Sequence, residues 1–363
     1  MRLKIKNLLK FSLTILGFFV FVNYFYQNIL LKKTRIFKSC PFSAKEFDIP
    51  FNANEKLEIR NYKFDNKLLV RNPQNNRCIK IAKFAKNGFI SKPTILKIQN
   101  NKSIQEYLID KHVIINLKKY EKVNCPNNAF NIAFFGQSNS ANNVKPKTNI
   151  ESPNNLYQYN WKDESCYLYK EPLLGATGNQ GNTITSFAIS LAVNNKDKNF
   201  LISPFGVGGS LVESWAHGEL NFLLEKNLTN LLTKNLNVNL FIWHQGESNA
   251  SNLNYLQIDP KIESSENYIE NLSKIIDRTR DFFPESYFGV SLASKCEHLT
   301  PSKYITNAQR KVTQIKEKVY IAANSDSLLG EKYRYDNCHF NLNGAYKLSE
   351  MYEKSFKKNV FNY

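Results

Sequence analysis

Short apolar runs recur through the last two thirds of the chain, and each ends in a polar or glycine-containing turn. Five such runs lie at 131–135, 200–203, 240–243, 287–292 and 319–323. Runs of this length, rich in Ile, Leu, Val and Phe, are typical of strands that are buried on both faces of a parallel sheet. We therefore expect five strands of a buried sheet at these positions.

Helical patterns lie between and after these runs, at 265–283, 308–315 and 344–356. Strands that alternate with helices predict an α/β fold with a mainly parallel sheet. In such folds the ligand site lies at the carboxyl ends of the strands. We therefore expect the functional residues in the turns that follow the strands.

The chain before residue 128 has a different pattern. Residues 66–124 contain short runs in which apolar and polar residues alternate, such as Thr94–Ile98, and this is the pattern of half-buried strands. Residues 41–65 are polar and broken by proline, and they predict a linker. The chain is thus divided into an N-terminal segment at 1–40, a small β-rich module with its linker at 41–127, and an α/β domain at 128–363.

The N-terminus carries an apolar stretch, Phe11–Leu31, which basic residues flank on both sides. Its uninterrupted part ends at Val22 and has the length of a signal peptide, whereas all 21 residues approach the thickness of a bilayer. We favour an uncleaved membrane anchor that places the globular part in the periplasm or elsewhere outside the cytoplasm. A cleaved signal peptide and a buried helix of a soluble protein are the alternatives.

The formal charge of +18 lies toward the N-terminus. Segments 1–40, 41–127 and 128–363 carry net charges of +8, +9 and +1. A basic segment beside a membrane can bind anionic lipid or an acidic polymer. The chain has no zinc-finger or RNP-type motif, so we expect no nucleic-acid partner. At 42% hydrophobic residues it can bury a core, which excludes global disorder.

The sequence leaves the redox state of the six cysteines open. They are Cys40, Cys78, Cys125, Cys166, Cys296 and Cys338. An even number behind a membrane segment agrees with disulfides in an oxidising compartment, although six buried thiols are an alternative. No two cysteines have C-x-x-C spacing. The sequence also contains no group of His, Cys and carboxylate residues with the spacing of metal ligands. We therefore predict no metal and no cofactor.

Two motifs suggest nucleophilic catalysis. Gly136-Gln137-Ser138-Asn139 follows the first strand, and a tight turn at a strand end can expose the Ser138 hydroxyl. Near the C-terminus, Asp336 and His339 have D-x-x-H spacing, so one turn can bring the carboxylate and the imidazole together. His339 would then take the proton of Ser138 while Asp336 orients the imidazole. Taken singly, these motifs also fit a helix N-cap and a capped turn.

Two further turns offer donors for a developing oxyanion. Gly206-Val207-Gly208-Gly209-Ser210 follows the second strand, and glycine there allows a backbone N–H to face the site. His244-Gln245-Gly246-Glu247-Ser248-Asn249 follows the third strand and carries amide side chains. A Gly-rich turn without a ligand is the alternative for the first of these segments. His244 itself fits a pocket-lining role and a structural role equally well.

The four turns, in this order, resemble the SGNH (GDSL-type) hydrolases, and in particular the branch of sialate O-acetylesterase and the carbohydrate esterases of family 6. That branch shows G-Q-S-N, then G-G-[ST]-x-x-x-x-W, then [HY]-Q-G-E-[ST]-[ND], and finally D-x-x-H. Gly208 to Trp215 match the second block, and Glu171-Pro172-Leu173 is similar to a D-P-L segment with Glu in place of Asp. The resemblance covers about residues 128–358 and implies a three-layer α/β/α, flavodoxin-like domain.

The resemblance also implies roles for single residues. Ser138 would be the nucleophile, His339 the general base and acid, and Asp336 the residue that orients His339. The oxyanion donors would be the backbone N–H of Ser138, a backbone N–H of Gly208 or Gly209, and the Gln245 side chain. The asparagine that the superfamily usually has in the third block is not at its usual place, so Gln245 would replace it, ahead of Asn249. Asn139 and Glu247 would support the loops.

The resemblance predicts a serine esterase that removes acetyl groups from sugar hydroxyls, with an O-acetylated carbohydrate as its substrate and the membrane as its attachment. A glycan O-acetyltransferase with the same triad is the first alternative. A catalytically inactive carbohydrate-binding protein is the second, and the intact Ser138, Asp336 and His339 argue against it. The sequence leaves the sugar and the oligomeric state open.

Overall fold

The computed structural model describes the main chain of residues 113–360 except 149, 219, 256–261 and 297–299, together with seven short strands earlier in the chain. Side chains are described from residue 115 onward, outside these gaps and residues 252–264. The apolar stretch at 11–31, predicted to be a membrane anchor, lies outside the described residues. Among the helices of the described part, none has the length and apolar character needed to cross a bilayer.

The strands before residue 117 form two four-stranded sheets with the orders β1-β5-β4-β2 and β3-β6-β7-β8. The strands are β1 (Ile36–Phe37), β2 (Glu46–Asp48), β3 (Lys56–Arg60), β4 (Leu68–Arg71), β5 (Cys78–Ala82), β6 (Thr94–Asn100), β7 (Ser103–Asp110) and β8 (Val113–Asn116). Alternating runs at 66–124 thus form strands, as predicted. The linker prediction for 41–65 was wrong for β2 and β3, because pairing with β4 and β6 decides their conformation more than their polar composition does.

One eight-stranded sheet forms the centre of the remaining chain, with the order β16-β15-β14-β10-β13-β11-β12-β9. Its strands are β9 (Lys122–Val123), β10 (Phe130–Gly136), β11 (Leu156–Asn160), β12 (Ser165–Leu168), β13 (Phe200–Pro204), β14 (Leu240–His244), β15 (Tyr287–Leu292) and β16 (Val319–Asn324). The six strands from β16 to β11 are parallel, while β12 and β9 are antiparallel to their neighbours. All five predicted strands lie in the parallel part.

In the described part of the chain, seven α-helices accompany this sheet. They are α1 (Thr185–Asn194), α2 (Val212–Ala216), α3 (Asn221–Thr233), α4 (Glu247–Tyr255), α5 (Ile262–Phe282), α6 (Lys303–Ile315) and α7 (Leu342–Asn359). The three predicted helices correspond to α5, α6 and α7. Each is somewhat longer than predicted.

The two faces of the sheet bury separate cores. On β10, Phe135 packs against Trp215 of α2 with 5.5 Å between the ring centroids, while the neighbouring Phe134 packs against Tyr352 of α7 at 6.1 Å. Residues of α2 to α6 share the core of Phe135, and residues of α1 and α7 share the core of Phe134. Successive strand residues point to opposite faces, so both must be apolar. The result is a three-layer α/β/α arrangement with a mainly parallel sheet.

The sheet continues toward the N-terminus beyond residue 128. β9 pairs with β12, and a disulfide joins Cys125 to Cys166 in that strand. Tyr120 also packs its ring edge against Tyr167 of β12, with 6.3 Å between the centroids. Residues 115–125 are therefore attached to the edge of the central sheet.

Candidate active site

The G-Q-S-N turn begins where the central strand β10 ends. Gly136 has φ +129°, and a Cβ atom there would lie 2.1 Å from the carbonyl oxygen of His244 on the adjacent strand. Only glycine therefore allows this close approach. The next N–H, of Gln137, donates to the same His244 carbonyl at 2.9 Å. The turn places Ser138 at the carboxyl end of the sheet, with 8% of its surface exposed.

Asp336 and His339 lie in one turn and form the predicted pair. Asp336 Oδ2 lies 2.7 Å from His339 Nδ1, and Oδ1 accepts the backbone N–H groups of His339 at 2.6 Å and Cys338 at 3.0 Å. Burial raises the pKa of the Asp336 carboxyl, but the hydrogen bonds from His339 and Cys338 outweigh it and hold the pKa below its ordinary value. The carboxylate thus engages Nδ1, and Nε2 is the nitrogen left for proton transfer.

Asn139 connects the serine turn to the histidine turn. Its Nδ2 donates to Glu247 Oε1 at 2.8 Å and to the carbonyl of Cys338 at 3.3 Å. The residue after Ser138 therefore touches the residue before His339. Ser138 and His339 both belong to the described part of the chain, and their side chains are not hydrogen-bonded to each other there. Such contacts often tighten only when substrate binds.

The second block lies beside Ser138. A Cβ atom built on Gly208 would lie 3.8 Å from Ser138 Cβ and 3.6 Å from Thr177 Oγ1. The Gly208 N–H donates to that threonine oxygen at 2.9 Å. Gly209 follows with φ +72°. Among the described residues, the backbone N–H groups of Ser138 and Gly209 have no hydrogen-bond acceptor, so both remain available to a substrate.

The spacing from Ser210 to Trp215 has a structural reason. Trp215 is fully buried, and its indole Nε1 donates to Ser210 Oγ at 2.9 Å. Ser210 Oγ in turn donates to the carbonyl of Gly136 at 3.3 Å. The motif therefore fixes the second loop against the end of β10.

Gln245 is engaged within the protein. Its side chain is fully buried, and Nε2 donates to the carbonyl of Ser210 at 3.1 Å and to Asn249 Oδ1 at 2.6 Å. Its Oε1 accepts the hydroxyl of Tyr268 at 3.0 Å. Both amide hydrogens thus have protein acceptors. Asn249 likewise holds α2, since Oδ1 accepts the Val212 N–H at 3.0 Å.

His244 and Glu247 form a buried pair beneath the loops. Glu247 Oε1 lies 3.4 Å from His244 Nε2, and His244 Nδ1 lies 2.9 Å from the hydroxyl of Tyr352. Burial raises the pKa of the Glu247 carboxyl, but His244 and Asn139 outweigh it and lower the pKa overall. His244 is fully buried, so its side chain does not border solvent. Glu247 also accepts the hydrogen bond from Asn139, so the two residues predicted to support the loops contact each other.

Three supporting residues were missed by the motif analysis. Gln137 Oε1 accepts the backbone N–H groups of Ser248 at 2.9 Å and Gly246 at 3.3 Å. The G-Q-S-N turn is therefore hydrogen-bonded to the turn that follows β14. Arg334 is 1% exposed and donates to the carbonyls of Leu328, Ser325 and Cys338. Thr177 contacts Gly208. A basic residue two positions before a D-x-x-H turn is a weak signal by itself, and Thr177 gives none.

A disulfide also fixes the histidine turn. Cys338, the neighbour of His339, is bonded to Cys296, which follows β15. Cys125 and Cys166 form a second disulfide at the sheet edge. These pairs agree with the disulfide alternative for four of the cysteines, while the side chains of Cys40 and Cys78 lie outside the described residues.

The arrangement has the parts that acyl transfer needs. A serine hydroxyl, an imidazole held by a carboxylate, and two free backbone N–H groups all lie at the carboxyl edge of one parallel sheet. Such a set supports attack of the hydroxyl on an ester carbonyl and stabilisation of the resulting oxyanion.

Three solved structures are similar to this chain. A protein from Arabidopsis thaliana superposes with a TM-score of 0.50 over 63% of this chain and 98% of its own, at 16% identity. A carbohydrate acetylesterase from Xanthomonas citri gives a TM-score of 0.44 at 14% identity, over 87% of this chain and 73% of its own. An acetylxylan esterase from Geobacillus stearothermophilus gives 0.39 at 11% identity, over 64% and 94%. At these identities the comparison concerns the fold alone.

Sequence comparison identifies the family. A search of the curated proteins finds no significant match. The sequence model of a family described as carbohydrate esterase, sialic acid-specific acetylesterase, matches residues 131–358. This match spans the four motifs and confirms the resemblance that they indicated. The chain therefore belongs to the sialic acid-specific acetylesterase family of carbohydrate esterases and is a hydrolase that acts on ester bonds.

Proposed function

We propose that this protein is a serine carbohydrate O-acetylesterase in which Ser138, His339 and Asp336 form the catalytic triad. The Asp336–His339 pair, joined to the serine turn through Asn139, is the observation that carries the proposal. The family description points to O-acetylated sialic acid as the first substrate to test, and other acetylated sugars follow it.

In the proposed reaction, Ser138 Oγ attacks the acetyl carbonyl while His339 Nε2 takes its proton. The imidazolium then gives this proton to the sugar oxygen as the ester bond breaks, which leaves acetyl-Ser138. Water, deprotonated by His339, attacks this second ester, and acetate and free Ser138 are released. Asp336 holds Nδ1 and stabilises the imidazolium in both steps.

The free N–H groups of Ser138 and Gly209 are the backbone donors that we assign to the oxyanion. Gly208 already donates to Thr177, and Gln245 already donates to Ser210 and Asn249. A direct role for either group therefore requires that an existing hydrogen bond be broken. We thus prefer Gly209 to Gly208 and regard Gln245 as a support of the second loop.

Acetate release by Ser138→Ala tests the triad. The substrates are p-nitrophenyl acetate and a panel of O-acetylated glycans that includes O-acetylated sialic acid. We expect kcat to fall by about 10⁴-fold or more, because the covalent route is lost. Ser327→Ala, which removes an exposed hydroxyl bonded to the carbonyl of Asn324, is the matched control and should retain full activity. Full activity of folded Ser138→Ala would refute the proposal.

A further inference from the structure

Thr177 is held rigidly between the first two blocks. Its backbone N–H donates to the carbonyl of Gly206 at 2.9 Å, and its carbonyl accepts the N–H of Asn142 at 2.8 Å. Gly206 lies in the second block, and Asn142 follows the serine turn. The position of Thr177 relative to Ser138 is therefore set by main-chain contacts on both sides.

The Thr177 hydroxyl and the Ser138 side chain border the same space next to Gly208. We place a Cβ atom on Gly208 and compare it with the described residues other than the chain neighbours of Gly208. Only two of their heavy atoms lie within 4 Å, Thr177 Oγ1 at 3.6 Å and Ser138 Cβ at 3.8 Å. The space next to Gly208 is thus bounded by these two side chains and is otherwise open. Thr177 is half-buried, so its side chain borders solvent.

The hydrogen bond with Gly208 determines what this hydroxyl can do. Oγ1 accepts the Gly208 N–H at 2.9 Å, and within the described part of the chain its own hydrogen has no acceptor. A hydroxyl that accepts one hydrogen bond is polarised and becomes a better donor of the next. Its hydrogen is free to turn toward the space that Ser138 shares.

We infer that Thr177 is a catalytic residue whose hydroxyl donates a hydrogen bond to the oxyanion formed when Ser138 attacks the acetyl group. The Gly208 N–H polarises that hydroxyl from behind, while Ser138 and Gly209 supply the backbone donors. This assignment gives the site a side-chain donor, which Gln245 cannot be while both its amide hydrogens are engaged. The inference rests on the proposed function.

A different role for Thr177 leads to the opposite result. If its hydroxyl only satisfied the Gly208 N–H, a valine would free that N–H to face the substrate. The rate would then stay unchanged or rise. Valine has the shape of threonine and the same branching at Cβ, so Thr177→Val separates the two roles without changing the backbone preference.

The test compares Thr177→Val, Thr177→Ser and Thr177→Ala on p-nitrophenyl acetate. We expect Thr177→Val and Thr177→Ala to lower kcat on the order of 100-fold with little change in KM, because one oxyanion donor is lost. Thr177→Ser keeps the hydroxyl and should stay within about threefold of the wild type. Asn179→Ala, an exposed position in the same loop, is the control and should leave both constants unchanged.

Inhibition by phenylboronic acid, which forms a tetrahedral adduct with a nucleophilic serine, provides a second readout. We expect Thr177→Val to weaken inhibition by about the same factor by which it lowers kcat. Both the adduct and the transition state need donors for the oxyanion. A Thr177→Val kcat within threefold of the wild type, or a loss confined to KM, overturns the inference. If Thr177→Val does not fold, Thr177→Ala carries the same test. Activity that survives Ser138→Ala would instead refute the proposed triad, so the two failures are distinguishable.

Discussion

At the scale of single residues, the proposed reaction depends on how Asp336 is held. Its two oxygens accept three hydrogen bonds, one from the imidazole and two from backbone N–H groups of its own turn. The backbone bonds fix the carboxylate before it meets the imidazole, so the orientation of His339 does not depend on the substrate. A short polar turn therefore provides both the tautomer and the direction of the imidazole that we propose as the base.

Asp336→Asn should change stability in a pH-dependent way. The pKa of Asp336 lies below its ordinary value of 3.8 in the folded protein, so the carboxylate stabilises the fold above that pH. This contribution is lost as the pH falls through the lowered pKa. Urea unfolding at pH 2.5–7 should show a stability gap between the wild type and Asp336→Asn that is constant at neutral pH and narrows in acid. A gap that stays constant down to the lowest pH contradicts the assignment.

At the scale of elements, three of the four motifs meet because their strands are neighbours. β14, β10 and β13 lie side by side in parallel, so the turns that follow them reach one edge of the sheet. The fourth motif joins them after β16, at the far end of the sheet, and Arg334 and the disulfide at Cys338 hold it in place. The loops are thus fixed by contacts that cross between blocks.

The sequence predicted the elements that one segment determines by itself. The five predicted strands are mainly apolar because both faces of the sheet are covered, and the long helices show the apolar period of an amphipathic helix. In contrast, β11 carries Tyr, Gln and Asn, and the Gln158 side chain is satisfied by the carbonyls of Leu168 and Lys170 and by the N–H of Leu174, all on later segments. The engagement of Gln245 likewise depends on Tyr268 in α5. Partners that are distant in sequence cannot be inferred from a motif.

The two disulfides provide a matched test of the histidine turn. Cys125–Cys166 and Cys296–Cys338 span 41 and 42 residues, so removal of either pair should destabilise the fold by a similar amount, about 4 kcal/mol by the chain-entropy relation. Only Cys296→Ser/Cys338→Ser loosens the residue next to His339, and it should also lower kcat, by about tenfold to 100-fold.

Urea unfolding and acetate release, measured at a temperature where both double variants are folded, check this expectation. Cys125→Ser/Cys166→Ser should keep the kcat of the wild type, since that disulfide lies at the sheet edge. Equal losses of kcat in the two variants would show that the Cys296–Cys338 bond has no particular part in positioning His339.

At the scale of the whole molecule, the charge is separated from the chemistry. The region after residue 127 carries a net charge of +1, while the first 127 residues carry +17. Long-range attraction to an anionic surface therefore acts mainly on the N-terminal third. The attachment of residues 115–125 to the sheet edge couples this third to the esterase domain, so whatever holds the N-terminus also localises the active site.

We propose that residues 11–31 anchor the protein in a membrane, as their length and apolar composition predict. The full chain should then sediment with membranes, stay there in 1 M salt, and be released only by detergent. Salt separates the two kinds of attachment, because basic residues held by anionic lipid are released when charges are screened, whereas an inserted apolar segment is not. A chain that lacks residues 1–40 retains the +9 of residues 41–127, so it should bind anionic vesicles at low salt at most and leave them in 1 M salt. Release of the full chain by salt alone would show that charge, and not insertion, holds it.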